Sequence, residues 1–273
     1  MPQVSVVVTT KNEQNNIGRC LGSVKAQTFQ DLEIIVVDNH STDRTVEIAR
    51  SFTDLIITLG PERSAQRNAG VASSRAPFIL YLDADMILTP GVVADCIARM
   101  RADVNLQALY IPERVIGRGF WIKVRRFERS FYDGTVVDAV RFVRREAFDA
   151  IGGFDLNLTG TEDWDFDLKM RRHGKVAVAA AELNHNEDGF SLKSYLRKKS
   201  YYAKSFAPYI AKWGADHPDL RRQLGIRYRY FTIYVEHGKW RRLLSQPILA
   251  LAMYSLRFYI GIAYLRRNVG PPN

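Results

Sequence analysis

Five short runs rich in apolar residues, most ending in a polar cluster, govern what this chain can fold into. They are Val4–Thr9, Glu33–Asp38, Leu55–Leu59, Phe78–Asp83 and a fifth at Ala108–Pro112. Helix-like stretches near Asn16–Ala26, Asp43–Phe52, Ser64–Ser74 and Pro90–Arg101 lie between them. Strand-length runs separated by helices predict βαβ units and a mainly parallel sheet. Their nearly continuous hydrophobicity is that of strands covered on both faces. In such sheets ligands bind beyond the carboxyl ends of the strands. Polar residues gather at those ends: Thr9-Thr10-Lys11-Asn12-Glu13 after the first run, Asp38-Asn39-His40-Ser41-Thr42-Asp43 after the second, and Asp83-Ala84-Asp85 after the fourth.

Each cluster has a plainer explanation, because Asp, Asn, Ser and Thr favour helix N-caps. Ser41, Thr42 and Asp43 fit that explanation as well as any other. Asp83-Ala84-Asp85 goes further. An Asp-x-Asp leaving a buried strand sets two carboxylates near one point, suited to Mg²⁺ or Mn²⁺. Such an ion bridges a diphosphate and stabilises it as a leaving group.

At this point the motifs resemble the inverting glycosyltransferases of family 2. The matching pieces are Val4-Ser5-Val6-Val7-Val8-Thr9-Thr10-Lys11-Asn12-Glu13, Glu33-Ile34-Ile35-Val36-Val37-Asp38-Asn39-His40-Ser41-Thr42-Asp43, Arg67-Asn68-Ala69-Gly70, Asp83-Ala84-Asp85, Gly152-Gly153-Phe154-Asp155 and Thr161-Glu162-Asp163-Trp164-Asp165. The resemblance covers roughly residues 3–185 and implies an α/β GT-A fold, a Rossmann-like sheet with flanking helices. It implies a UDP- or GDP-sugar donor and Mn²⁺ or Mg²⁺ as cofactor. Residues 1–115 would be the nucleotide-sugar-binding half and 116–190 the acceptor-binding half. Thr9, Asn12 and Glu13 would line the nucleotide pocket, Asp38 would accept from the base, and Arg67 would reach toward the nucleotide or diphosphate. Asp83 and Asp85 would sit at the ribose and metal, Asp85 as the more direct ligand. Asp163 would be the catalytic base, with Gly153, Glu162 and Trp164 on the acceptor side.

The residue chemistry agrees with this allocation. Inversion needs a base opposite the leaving diphosphate, and an Asp at a helix start is held rigidly for that task. Glu162, Asp163, Asp165 and Asp167 crowd one such start, near its favourable dipole end. Like-charge neighbours raise a carboxylate's pKa and make it a better base. A well-capped helix beginning at Thr161 explains Asp165 and Asp167 without catalysis. Gly152-Gly153 reads as the tight turn of an acceptor loop. His185 follows a predicted strand at Lys175–Ala180; in related transferases a histidine in this region completes the metal or diphosphate site, and a structural role is the alternative. His40, His173, His217 and His237 show no partner pattern. Gly119–Asp133, mixing Trp121, Phe127, Phe131 and Tyr132 with basic residues, reads as an amphipathic helix beneath the acceptor site, with part of a membrane-facing surface as the alternative.

Charge divides the chain of 273 residues. Its net +10 splits into −3 over residues 1–190 and +13 over residues 191–273, and the latter also hold 15 of the 31 aromatic residues. Lys193–Tyr209 interleaves Arg197, Lys198, Lys199 and Lys204 with Tyr195, Tyr201, Tyr202, Phe206 and Tyr209, the composition of a helix in lipid headgroups. Leu243–Leu265 is apolar and flanked by Arg241-Arg242 and Arg266-Arg267, but Pro247 and Arg257 weaken it as a span; a charge there costs roughly 2.5–3.5 kcal/mol near the bilayer centre. A C-terminal helical region lying on an anionic membrane surface is therefore expected, ahead of a buried helical layer or a span. Nucleic acid is not expected, because no RNP, KH or zinc-finger pattern is present. Met1–Thr10 lacks a basic flank, so no signal peptide is expected. Two separated cysteines, Cys20 and Cys96, argue against a disulfide framework or zinc cluster and for a reducing compartment. Together these place the protein at the cytoplasmic face of a membrane, peripheral or monotopic, with a polyprenyl-diphosphate-linked saccharide as acceptor. The rivals are a polyprenyl-phosphate sugar synthase and a non-catalytic sugar-nucleotide-binding scaffold. A nucleotidyltransferase would want a Gly-rich loop after the first strand, where Thr9–Asn16 has no glycine.

Overall fold

The computed structural model describes residues 1–202 and 205–268, with side-chain surroundings for 1–197 and 205–262. Its strands in chain order are β1 (Val4–Thr10), β2 (Leu32–Asp38), β3 (Ile56–Thr58), β4 (Phe78–Asp83), β5 (Met86–Leu88), β6 (Leu106–Tyr110), β7 (Glu113–Ile116), β8 (Val140–Arg144), β9 (Lys175–Val178) and β10 (Leu183–Asn186). The helices of the first 190 residues are α1 (Ile17–Lys25), α2 (Thr45–Arg50), α3 (Arg63–Ala72), α4 (Val92–Ala102), α5 (Phe120–Arg129), α6 (Arg145–Ala150) and α7 (Glu162–His173). Then come α8 (Leu192–Tyr202), α9 (Phe206–Trp213), α10 (Pro218–Leu224), α11 (Ile233–Val235), α12 (Trp240–Ser245) and α13 (Pro247–Asn268).

The main sheet runs β3-β2-β1-β4-β8-β6-β9 among the described residues. Strands β3, β2, β1 and β4 are parallel, as the βαβ pattern predicts, while β8 runs antiparallel to both its neighbours. The fifth predicted strand forms two residues earlier than expected. Alternation along β1 explains the two-sided core: Val4, Val6 and Val8 pack with α1 and α4, while Val7 packs with Val71 of α3 and Phe166 of α7. Period-two side chains must point to opposite faces. Gly70 lets α3 lie close on the sheet, since a Cβ there would stand 2.3 Å from Val7 Cγ1.

A second sheet, β5-β10-β7, was not foreseen. Its strands are three or four residues long, too short to show a period. It nevertheless matters most for the site, because it pairs His185 with Met86 and with Val115.

In the C-terminal region several of the aromatic and basic residues pack against the rest of the chain. Tyr209 and Tyr228 are buried, and Tyr195 lies under the Arg125 guanidinium at 4.8 Å. Helix α13 packs on α5 through Val124, Phe127, Phe131, Tyr234, Met253 and Leu256. Arg257, expected to interrupt a lipid-facing helix, turns inward. It is 7% exposed and reaches Glu128 at 2.6 Å and the Tyr132 hydroxyl at 2.8 Å. These parts of the region form the buried helical layer. The side chains of Lys198, Lys199, Tyr201, Tyr202, Lys204, Arg266 and Arg267 lie outside the described residues. No helix among the described residues is long and apolar enough to cross a membrane. Cys20 and Cys96 are free and buried, and burial pushes both thiols up.

Arg257 anchors the layer through a buried ion pair, and removing one partner of such a pair leaves an uncompensated charge. Arg257→Ala is expected to lower unfolding free energy by about 3 kcal/mol. Arg241→Ala, at an exposed neighbour, should stay within about 0.5 kcal/mol. Urea unfolding of the two variants checks this.

Candidate active site

The carboxyl ends of β1, β2 and β4 converge because the strands are in register: Thr10 faces Asp38 and Thr9 faces Asp83. The loops after β1 and β2 brace each other. Asn12, at φ 53°, accepts from the Thr42 amide at 2.9 Å and donates its own amide to Ser41 at 2.8 Å. The amide of Glu13 donates to Thr45 at 2.7 Å. Ser41, Thr42 and Asp43 thus follow the turn-and-cap explanation.

Asp83 is the electrostatic focus. Arg67 lies 3.1 Å from it, Arg63 3.7 Å and Arg141 4.0 Å, and Thr9 donates a hydrogen bond at 3.3 Å. Burial alone would raise the Asp83 carboxyl, but the three guanidiniums hold it well below the usual carboxylate range. Arg67 is fully buried, held between the rings of Tyr81 and Phe154 at 4.9 and 5.0 Å. Its second nitrogen donates to Asp163 at 2.7 Å. One buried cation therefore joins the end of β4 to the first turn of α7.

That turn separates its acids sharply. Asp165 accepts from Trp213 and Lys212, each at 2.8 Å, and Asp167 accepts from Tyr110 and from Arg171. Both are buried buttresses, as the helix-start explanation has it. Glu162 pairs with Arg63 at 2.9 Å and accepts from the Gly160 amide; burial, then the Asp163 charge, push its carboxyl up. Thr161 makes no capping bond, and its hydroxyl is buried without a partner. Asp163, 25% exposed, opens to the cleft.

On the other side, Asp85 ends 3.2 Å from His185 Nε2, whose Nδ1 lies 3.5 Å from Glu113. Burial would lower the His185 pKa, but hydrogen bonds and charge from Asp85 and Glu113 push it up to about 10. The second oxygen of Asp85 is buried without a partner among the described residues. An orphaned carboxylate oxygen beside an imidazole is a donor set that Mn²⁺ or Mg²⁺ accepts. Among the described residues no three His, Cys, Asp or Glu side chains gather as a complete metal cluster.

Thr9, Glu13, Asp83, Asp85, His185, Glu162, Asp163 and Trp164 all line one cleft of about 1800 Å³. Small-molecule sites usually occupy roughly 300–1,000 Å³, so this one has room for two substrates. Four of the sequence-chosen residues do not line it. Arg67 is fully buried and paired with Asp83 and Asp163. Asp38 is buried, both oxygens accepting from Ser41. Asn12 braces the loops. Gly153, at φ 61°, lies close to Asn68 and Phe148.

Arg63, Glu113 and Arg141 were missed. Arg63 lies four residues before Arg67, on the same helix face, and that spacing was a usable signal. Glu113 and Arg141 come from separate strands and pair at 3.0 Å, which no local pattern announces.

Known proteins agree with this geometry. The family described as Glycosyl transferase family 2 matches residues 5–156, just over half of the chain. A PGL/p-HBAD biosynthesis glycosyltransferase of Mycobacterium bovis (strain BCG / Pasteur 1173P2) is 28% identical over 275 residues, covering 94% of this chain and 98% of the relative. Hyaluronan synthase of Pasteurella multocida is 24% identical over 74% of this chain and 22% of its own. Among solved structures, the mannosyltransferase PcManGT from Pyrobaculum calidifontis, in complex with GDP-Man and Mn²⁺, matches with TM-score 0.63 at 17% identity, over 97% of this chain and 87% of that one. S. aureus TarS 1-349 in complex with UDP-GlcNAc matches with TM-score 0.57 at 19% identity, over 90% and 79%. At these identities the structural likeness establishes the fold.

The buttress under Asp163 carries a pH signature. Burial pushes Asp167 up to about 6, only partly offset by Arg171, and pushes Asp138 up to about 6 as well. Between about pH 4 and pH 6 the folded chain then binds more protons than the unfolded one, so these groups lower stability as pH rises. Asp167→Asn should remove its share. Wild type should lose on the order of 2 kcal/mol relative to the variant across that window, read by urea unfolding at each pH.

Proposed function

The chain belongs to glycosyl transferase family 2, and from that premise we propose that it transfers a sugar, with inversion, from a nucleoside-diphosphate donor to a hydroxyl of a lipid-linked saccharide at a membrane surface. One observation carries the reading: Arg67 ties Asp83, on the metal side, to Asp163, on the acceptor side, within one cleft. Residues 1–115 serve the donor in this scheme and residues 116–190 the acceptor. The neighbours holding GDP-Man with Mn²⁺ and UDP-GlcNAc support a nucleotide-sugar donor.

Asp163 takes the proton of the acceptor hydroxyl. The acceptor oxygen then bonds to the anomeric carbon from the face opposite the diphosphate, and the bond from that carbon to the phosphate oxygen breaks. Arg67 keeps the Asp163 carboxylate oriented. Asp85 and His185 would hold Mn²⁺ or Mg²⁺, which when bound offsets the charge of the departing diphosphate. Glu113, beside His185 Nδ1, would hold the proton on that nitrogen, so that Nε2 could ligate once the metal displaces its proton.

The membrane part rests on the outer face of α12 and α13. Leu244, Ile248, Leu251, Phe258 and Ile262 are all exposed and recur at helical spacing on one side. Arg241 and Arg242, also exposed, adjoin the stripe. Apolar area plus flanking cations is the composition that binds anionic lipid.

Calorimetry with UDP and GDP, with Mn²⁺ and then with EDTA, tests the donor site. Asp85→Ala should abolish metal-dependent binding of the preferred nucleotide. Asp163→Asn should keep that binding and lower nucleotide release from a panel of UDP- and GDP-sugars by about 10²–10⁴-fold. Full turnover in Asp163→Asn would instead indicate a phosphate acceptor, which needs no base. Absence of binding by either nucleotide would favour the scaffold.

A further inference from the structure

The cleft continues beyond Asp163. Past Trp164 it runs into the C-terminal helices, where Ile226, Arg229, Phe231, Phe258 and Ile262 line it. Phe258 and Ile262 belong equally to the exposed apolar stripe of α13. The far end of the cleft and the stripe are therefore one continuous apolar surface.

Arg229 lines the same cleft, next to Trp164. Its guanidinium carbon lies 5.8 Å from the centroid of the Trp164 ring, which stacks on Phe206 and directly follows Asp163 in the chain. Its charge is felt at Tyr132, also in the cleft. The other arginines lining the cleft are paired with carboxylates: Arg63 with Glu162, Arg125 with Glu128 and Glu187, Arg129 with Glu113 and Asp138, Arg141 with Glu113, and Arg257 with Glu128. Arg229 forms no ion pair among the described residues, and residues 198–204 and 263–273 contain no Asp or Glu. A half-buried guanidinium without a counter-charge, facing a substrate cleft, is matched by an anion of the ligand.

We propose that Arg229 binds the phosphate that joins the acceptor's sugar to its apolar chain. The inference rests on the transferase reading above and adds the acceptor's chemical class. The cleft brings together Asp163, Trp164 with Arg229 beside its ring, and the apolar side chains Phe231, Phe258 and Ile262. It matches an amphiphile built as hydroxyl, sugar ring, phosphate and hydrocarbon. The C–H face of the sugar packs on Trp164, and the planar fork of Arg229 bonds two phosphate oxygens at once. A neutral glycolipid would fill the apolar end but leave Arg229 unmatched.

The test uses the full chain saturated with Mn²⁺ and whichever of UDP or GDP it binds, so that the donor's diphosphate position is filled. Farnesyl diphosphate and farnesol are titrated separately by calorimetry. Farnesyl diphosphate is expected to bind at least about tenfold more tightly than farnesol. Arg229→Met should erase that advantage while nucleotide and farnesol binding stay as in wild type. Arg227→Met, at an exposed position two residues away, should leave it intact. Equal binding of farnesyl diphosphate by Arg229→Met and wild type, with nucleotide binding intact, overturns the assignment alone. So does farnesol binding as tightly as the diphosphate. Failure of both nucleotides to bind wild type overturns the transferase reading and this assignment with it.

Discussion

A fully buried arginine between two carboxylates organises this molecule. Arg67 has no access to water, so its charge is tolerated only because Asp83 and Asp163 approach it to 3.1 and 2.7 Å. An unpaired charge at that depth would be prohibitive, and either carboxylate alone would leave half of the guanidinium fork unmatched. The pairing forces the end of β4, the helix α3 and the start of α7 into one geometry. Gly70 makes that geometry attainable by letting α3 settle on Val7 and Val37. The two walls of the cleft that carry Asp83 and Asp163 are locked together by the same contact.

Around this centre, charge is used in alternation. Asp83 is neutralised by arginines and kept ionised, Asp165 and Asp167 are spent on packing α7, and Asp163 keeps one side open. The acids of one helical turn thus have different tasks because their neighbours differ. The small sheet supplies the remaining corner. Pairing of β10 with β5 and β7 sets His185 between Asp85 and Glu113. There one Asp85 oxygen is buried without a partner among the described residues.

The C-terminal region shows how composition misleads when it is read without packing. Its aromatic and basic residues have the make-up of a surface helix, yet Tyr195 and Tyr209 turn inward and Arg257 becomes a buried anchor for Glu128. The residues left outside are those at the spacing of Leu244, Ile248, Leu251, Phe258 and Ile262. Amphipathicity was present, but α13 carries apolar side chains on both faces. Periodicity alone could not say which face meets the domain.

The fold class and half of the site were legible in the chain itself. Runs such as Val4–Thr9 and Phe78–Asp83 announce buried parallel strands, and the polar residues that end them mark the functional edge of the sheet. Asp83 and Asp85 stood out locally, as acids at a strand end, whereas Asp163, one of several acids at a helix start, was singled out mainly by the resemblance to family 2. Arg67 was named by that resemblance too, but its burial was not, because depth depends on what packs above a residue. Glu113, Arg141 and Arg229 carried no signal, coming from a short strand, an antiparallel strand and a helical turn far along the sequence. Sequence determined what depends on neighbours within a few residues: strand, helix, turn and the acids that punctuate them. Tertiary structure decided which charges meet, because an ion pair between residues 28 or 96 positions apart exists only once the sheet has set their distance.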